Sequence, residues 1–193
     1  KEVILKSIDQ ESLIKLNLLK KDNIRLREIL SLQQSTQNYN ISAAVISRKT
    51  GGWWKQIILN KGSKDGVEIG STVTGPGGLL GRVNNTSLFT STVTLLTSPE
   101  SKLGVWVDRS QINGLLIGLG DDTPSLVLYS KDADIKVGDF VSSSPASSLL
   151  PPNIPIGIVQ SIDETLQSKK TAKISLLAKP NVIDWVQILK VKI

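Results

Sequence analysis

Residues 59–83, LNKGSKDGVEIGSTVTGPGGLLGRV, place glycines at 62, 66, 70, 75, 77, 78 and 81. That density suits either a phosphate cradle or a run of tight turns. A cradle closes backbone N–H groups around an anion, then passes the chain into a helix whose N-terminus adds its dipole. This stretch fails that pattern. GPGGLLG departs from G-x-G-x-x-G, and no helical periodicity follows it. Gly70 and Gly75 have P-loop spacing, but Pro76 stands where the lysine is required. The glycines therefore read as turns between strands.

Other reactive combinations fail as well. Ser12 and Lys15 form S-x-x-K, and Lys49-Thr50-Gly51 reads K-T-G, two elements of serine acyl-transfer enzymes. The third element, S-x-N, is absent, and Ser12 and Lys15 fall in a predicted helix. The chain has no histidine and no cysteine. That removes the base of a Ser-His-Asp arrangement, any thiolate nucleophile and every His or Cys metal site. Asp121-Asp122 and Asp132/Asp134 sit among turn residues without a 12-residue calcium loop, so they read as solvated carboxylates. No catalytic residue, cofactor or metal is predicted. The net charge is +6, but the Lys and Arg residues are dispersed without aromatic interleaving, so no nucleic-acid groove is predicted.

The elements that would carry any function divide sharply. Residues 1–34 lack Gly and Pro and are rich in helix formers. From Leu16 a heptad seam appears, with Leu16, Asn23 and Leu30 at a and Leu19 and Leu26 at d. Asp22 at g and Arg27 at the partner's e attract, whereas Lys15 and Lys20 repel. A seam asparagine facing its copy favours a parallel two-stranded coil in one register. The spacing thus predicts a homodimer built on Leu16, Leu19, Asn23, Leu26 and Leu30, with a coiled-coil segment over 1–38; the alternative is a single amphipathic helix laid on the globular part, with Asn23 at its rim. Methionine is absent, so Lys1 is expected to lie inside a longer chain. No apolar run here is long enough to cross a bilayer, and a membrane anchor is expected ahead of Lys1.

After Tyr39 the texture is short, β-branched and turn-bounded: ISAAVISR, KQIILN, STVTG, LLGRVNN, FTSTVTLL and KLGVWVD. It resumes with NGLLIG, SLVLYS, DFVSSS, IGIVQSI, TAKISLLA and WVQILKVKI. Three blocks recur in order. Ile69–Val73 matches Val137–Val141, Leu80–Val83 matches Ile156–Val159, and Val93–Leu96 with Pro99 matches Ile174–Leu177 with Pro180. The repeat predicts two small antiparallel β-barrels behind the helix, the fold being mainly β. The first is expected over 39–103, with 181–193 as a segment able to complete it, and the second over 104–180.

The order of these features resembles the MreC rod-shape-determining family of the bacterial cell-wall elongation machinery. A coil ending in DNIRLREIL is followed by AAVISR, Trp53-Trp54 and LNKGSKDGVEIGSTV, then GLLGRV and STVTLLTSP. INGLLIGLG, ADIKVGDFV, LPPNIPIGIV and a Val/Ile-rich final strand complete the series. The chain departs at Ser142–Ser148, where Ser144-Pro145 replaces a Ser-Gly turn. The resemblance implies a bitopic membrane protein whose present segment is periplasmic, with a dimerising helix and two barrels akin to a protease without its catalytic residues. It implies a non-catalytic scaffold of cell shape that binds the elongation-specific penicillin-binding transpeptidase and works with MreD and MreB. Trp53, Trp54 and Trp106 are the candidate partner contacts, because aromatic side chains anchor interfaces; adjacent Trp53 and Trp54 would face opposite ways in a strand, and core packing is the favoured role for one of them and for Trp106. A periplasmic adaptor of an efflux or secretion system is the alternative, disfavoured because its helical hairpin interrupts the β segments.

Overall fold

The computed structural model of the chain describes residues 12–21, 40–49, 55–130, 132–163 and 169–189. Residues 12–21 form helix α1, exposed at every position, with Leu16 47% and Leu19 62% accessible. No second helix of this chain pairs with it among the described residues. Asn23, Leu26, Leu30, Trp53 and Trp54 lie outside them. Residues Lys1–Asn38 and Tyr39–Ile193 are separate compact units.

The second unit contains two closed six-stranded antiparallel barrels. The first holds β1 (Asn40–Lys49), β2 (Gln56–Leu59), β3 (Thr72–Gly75), β4 (Gly78–Thr86) and β5 (Ser91–Leu95). The chain then builds all of the second barrel. Its strands are β6 (Lys102–Val107), β7 (Ile112–Ile117), β8 (Ser125–Leu128), β9 (Phe140–Ser143), β10 (Pro155–Asp163) and β11 (Lys170–Leu176). Finally β12 (Trp185–Leu189) returns to the first barrel and fits between β1 and β3. Closure leaves no free sheet edge in either ring.

Alternation along the strands sorts the side chains. In β5, Ser91, Val93 and Leu95 are buried while Thr92 and Thr94 lie at intermediate exposure. The first core gathers Ile57, Leu59, Val73, Val83, Val93 and Ile188. The second gathers Leu103, Val105, Leu116, Leu126, Ile156 and Ile174. Burying each such side chain contributes roughly 1.5–3 kcal/mol before conformational entropy is set against it.

The repeat in the sequence appears as repeated hydrogen bonding. Gly70 N–H donates to the Val83 carbonyl (2.7 Å) and Val83 N–H to that of Ser71 (2.9 Å). In the second barrel Gly138 N–H donates to Val159 (2.9 Å) and Val159 N–H to Asp139 (2.9 Å). Gly70 and Gly138 both adopt positive φ, +89° and +94°. Both copies also shift register just past the second valine, between Val83 and Asn85 and between Val159 and Ser161. The strand orders superpose when β12 stands where β6 stands in the other ring.

The barrels interlock. Leu79 of β4 and Leu96 beyond β5 pack into the second core. The Gly77-Gly78 turn sits so close to the Leu177 and Pro155 carbonyls that a Cβ on either glycine would lie 2.6 or 2.1 Å from those oxygens.

Candidate partner-docking surface

The register of β6 against β9 pairs Trp106 with Ser142. Trp106 is half-buried, and its indole N–H donates to Ser142 Oγ at 2.7 Å. The Ser142 hydroxyl, itself buried, donates in turn to Asp108 Oδ1. Just past the end of β9, Ser144 donates to Asn113 Oδ1 on β7 at 2.7 Å. Trp106 is thus fixed by its polar edge and offers only part of its ring to solvent. Hydrogen-bonded aromatic side chains of this kind lose little entropy when a partner covers them.

Phe140, the first residue of β9, is the exposed aromatic of this face, at 55% accessibility, and it pairs in register with half-buried Ile158. Its backbone is held from two sides. Asp108 N–H donates to the Phe140 carbonyl at 2.9 Å. Arg109, in the turn after β6, grips the segment that leads into it. Nε and Nη2 reach the two carboxylate oxygens of Asp139 at 2.8 and 2.9 Å. Nη1 and Nη2 reach those of Asp134 at 2.6 and 3.1 Å, and Nη2 also meets the Asp134 carbonyl at 3.2 Å. Lys136 N–H adds a bond to Asp139 Oδ2 at 2.8 Å. Two carboxylates forked on one guanidinium set the loop's shape as well as its charge.

This clamp has a pH signature. The Arg109 hydrogen bonds hold the Asp139 carboxyl below the usual carboxylate range, with the Lys136 N–H adding to the effect against the opposing cost of burial. Arg109 lowers Asp134 in the same way. A carboxylate with a depressed folded-state pKa contributes stability above its unfolded pKa and loses it as pH falls through the folded value. Asp139→Asn is therefore expected to be less stable than the parent at pH 7, with the gap closing below about pH 4, where carboxylates protonate. Urea midpoints for both proteins across pH 2–7 check this; a gap independent of pH would refute it.

Two other aromatic surfaces stand on the first barrel. Trp185, 63% exposed, opposes Ala44 across β12 and β1, and exposed Ile46 lies two residues farther along β1. Arg48 braces this rim by donating to the Ile183 carbonyl (2.6 Å) and to Asp184 (3.0 Å). At the tip between β4 and β5, Leu88 and Phe89 are 65% and 62% exposed. The tip rests on the 62–64 turn through Ser63 N–H to Ser87 O (2.9 Å) and Lys64 N–H to Leu88 O (3.1 Å). The Lys64 ammonium lies 5.4 Å from the centre of the Phe89 ring.

Of the three tryptophans expected at a partner contact, Trp106 is placed, partly covered, beside Phe140. Leu16 and Leu19 are exposed on α1. Phe140, Trp185 and Phe89 do not stand out in the sequence, where each reads as part of a core strand or a turn. Arg109 with Asp134 and Asp139 is likewise invisible, because 25 to 30 residues separate the partners. Among the described residues no cluster of His, Cys, Asp and Glu has metal-binding geometry.

Residues 45–190 match the family model for the barrel core of the rod shape-determining protein MreC. The cell shape-determining protein MreC of Listeria monocytogenes is 34% identical over 179 residues, covering 89% of this chain and 61% of that protein. The corresponding protein of Escherichia coli is 30% identical over 162 residues, covering 83% of this chain and 43% of its own length. The chain thus spans about half the length of the curated relatives it matches. A solved MreC structure from Listeria superposes with a TM-score of 0.85 at 30% identity, covering 96% of this chain and 91% of that one. The fold is shared, at 16% identity and a TM-score of 0.66, with a chain in a solved complex between Penicillin-Binding Protein (PBP2) and MreC from Helicobacter pylori, over 81% of this chain and 100% of that one.

Proposed function

The chain belongs to the MreC family of rod-shape-determining proteins, and from that membership we propose that it pairs through its leading helix and presents its barrels as a docking platform for the cell-wall elongation transpeptidase. It is a non-catalytic cell-shape protein of the periplasmic side of the inner membrane. The platform works with MreD and MreB and is tethered to the bilayer by a helix ahead of residue 1.

Pairing through Leu16, Leu19, Asn23, Leu26 and Leu30 presents every barrel face twice. Two copies confined above one membrane raise the effective concentration of each for its target, so weak single contacts hold. Support comes from Leu16 and Leu19, which are exposed among the described residues and lie on one stripe of α1. Docking biases the transpeptidase between conformations only as far as the face binds one of them more tightly.

The observation that carries the docking assignment is the pinned face of the second barrel. Phe140 is exposed on a backbone fixed by Asp108 and the Arg109 clamp, beside the hydrogen-bonded Trp106. The PBP2-bound relative with the same fold points to the same class of partner. Phe140→Asp is expected to weaken binding of the elongation transpeptidase at least about tenfold, the size of a central aromatic contact. Its urea midpoint is expected to stay near the parent's, since the side chain is already exposed. Biolayer interferometry with the dimeric chain immobilised measures it; parent-like affinity would move the docking site elsewhere.

A further inference from the structure

Between the outer sheet of the first barrel and the segment leading into β6 lies a cleft of about 380 Å³. Its size falls in the range of small-ligand pockets. Arg82 and Thr94, cross-strand neighbours on β4 and β5, line it together with Asn84, Ile69 and Lys102.

Arg82 is the unusual residue. Its Nε donates to the Gly70 carbonyl at 3.2 Å, and among the described residues no carboxylate pairs with it or with Lys102. Half-burial without counter-charge pulls its pKa below the usual guanidinium range, although an arginine stays cationic throughout. The second barrel shows what the fold itself needs here. The repeat sets Ile158 where Arg82 stands, and Gly138 keeps the conformation of Gly70 without a guanidinium over it. A half-desolvated cation that the sister barrel omits is costly unless something supplies a matching anion.

We propose that this cleft binds the C-terminal carboxylate of a short peptide, with Arg82 as the oxyanion-binding residue. Charge selects the ligand class. Arg82 and Lys102 supply two positive charges and Glu100 at the rim removes one, leaving a site matched to a monoanion and poorly matched to a phosphate dianion. The walls select further. Asn84 and Thr94 offer donors and acceptors to the last peptide group, and exposed Ile69 suits a small apolar side chain. A guanidinium held by one nitrogen keeps its other N–H groups available for a forked carboxylate. This assignment does not depend on where the transpeptidase docks.

Titration calorimetry of the full chain at low salt with N-acetyl-alanyl-alanine, its C-terminal amide and inorganic phosphate tests it. The free acid is expected to bind saturably, and the amide at least about tenfold more weakly, the difference of a charge-assisted forked contact. Arg82→Gln is expected to lose binding of the acid by a similar factor. Lys102→Ala, at an exposed position, is expected to lose about threefold and to fold as the parent does. Thermal melts of each variant separate lost binding from lost structure, and Lys102→Ala carries the test if Arg82→Gln melts early. Equal binding of acid and amide, no saturable binding, tighter binding of phosphate, or unchanged affinity in the intact variants would overturn the proposal.

Discussion

Gly81→Ala is expected to destabilise the protein by about 3 kcal/mol or more, the upper range for overpacking a filled site. A Cβ at that position would lie 2.0 Å from the Thr94 carbonyl oxygen and 2.9 Å from its carbon. Both atoms belong to the backbone of β5, which is tied to β2 and β4 on either side, so neither yields without breaking the ring. The matching glycine of the second barrel, Gly157, is equally hemmed, with Ile174 Cγ2 at 2.5 Å and the Ser175 oxygen at 2.6 Å. Gly104→Ala is the control. Nothing lies within 4 Å of its would-be Cβ, and its stability is expected to stay within about 0.5 kcal/mol of the parent. Guanidinium unfolding curves decide the matter; a parent-like midpoint for Gly81→Ala would mean that the first barrel is far more plastic than its packing implies.

The second large effect concerns association. The full chain is expected to sediment at about twice its 20.9 kDa mass, and a version beginning at Tyr39 to sediment as a monomer. The shorter version retains a compact unit of its own, so its folding can be verified independently. Asn23→Leu is expected to tighten association while losing the single register, giving mixed species, because an apolar seam stabilises more but specifies less. Equal self-association of the long and short versions in analytical ultracentrifugation would place the dimer contact on the barrels.

Much of the fold is legible in the sequence because its signals are local. Segments such as KQIILN and STVTLL carry β-branched alternation, and the I-G-S-T-V and V-G-D-F-V blocks mark two turns of the same backbone shape. The docking face is less legible. Phe140 precedes Val141, which is buried, and an apolar pair at a strand start gives no sign of which residue faces water. Trp185 opens a strand whose Val186 and Ile188 are buried, and it reads as core for the same reason. Trp106 is recognisable as an aromatic but not as one tied to Ser142, 36 residues away. Arg82 reads as one letter of GLLGRV, and only the sister strand, with isoleucine in its place, makes the charge conspicuous.

The return of β12 to the first barrel has a consequence for biosynthesis. An ordinary two-module chain finishes its leading module while the trailing one is still emerging. Here β12 follows every strand of the trailing ring, so the leading ring waits with one edge of β1 and one edge of β3 unpaired until the trailing ring has been made. A chain cut before Trp185 would therefore leave the leading ring open, with two raw strand margins where β12 belongs.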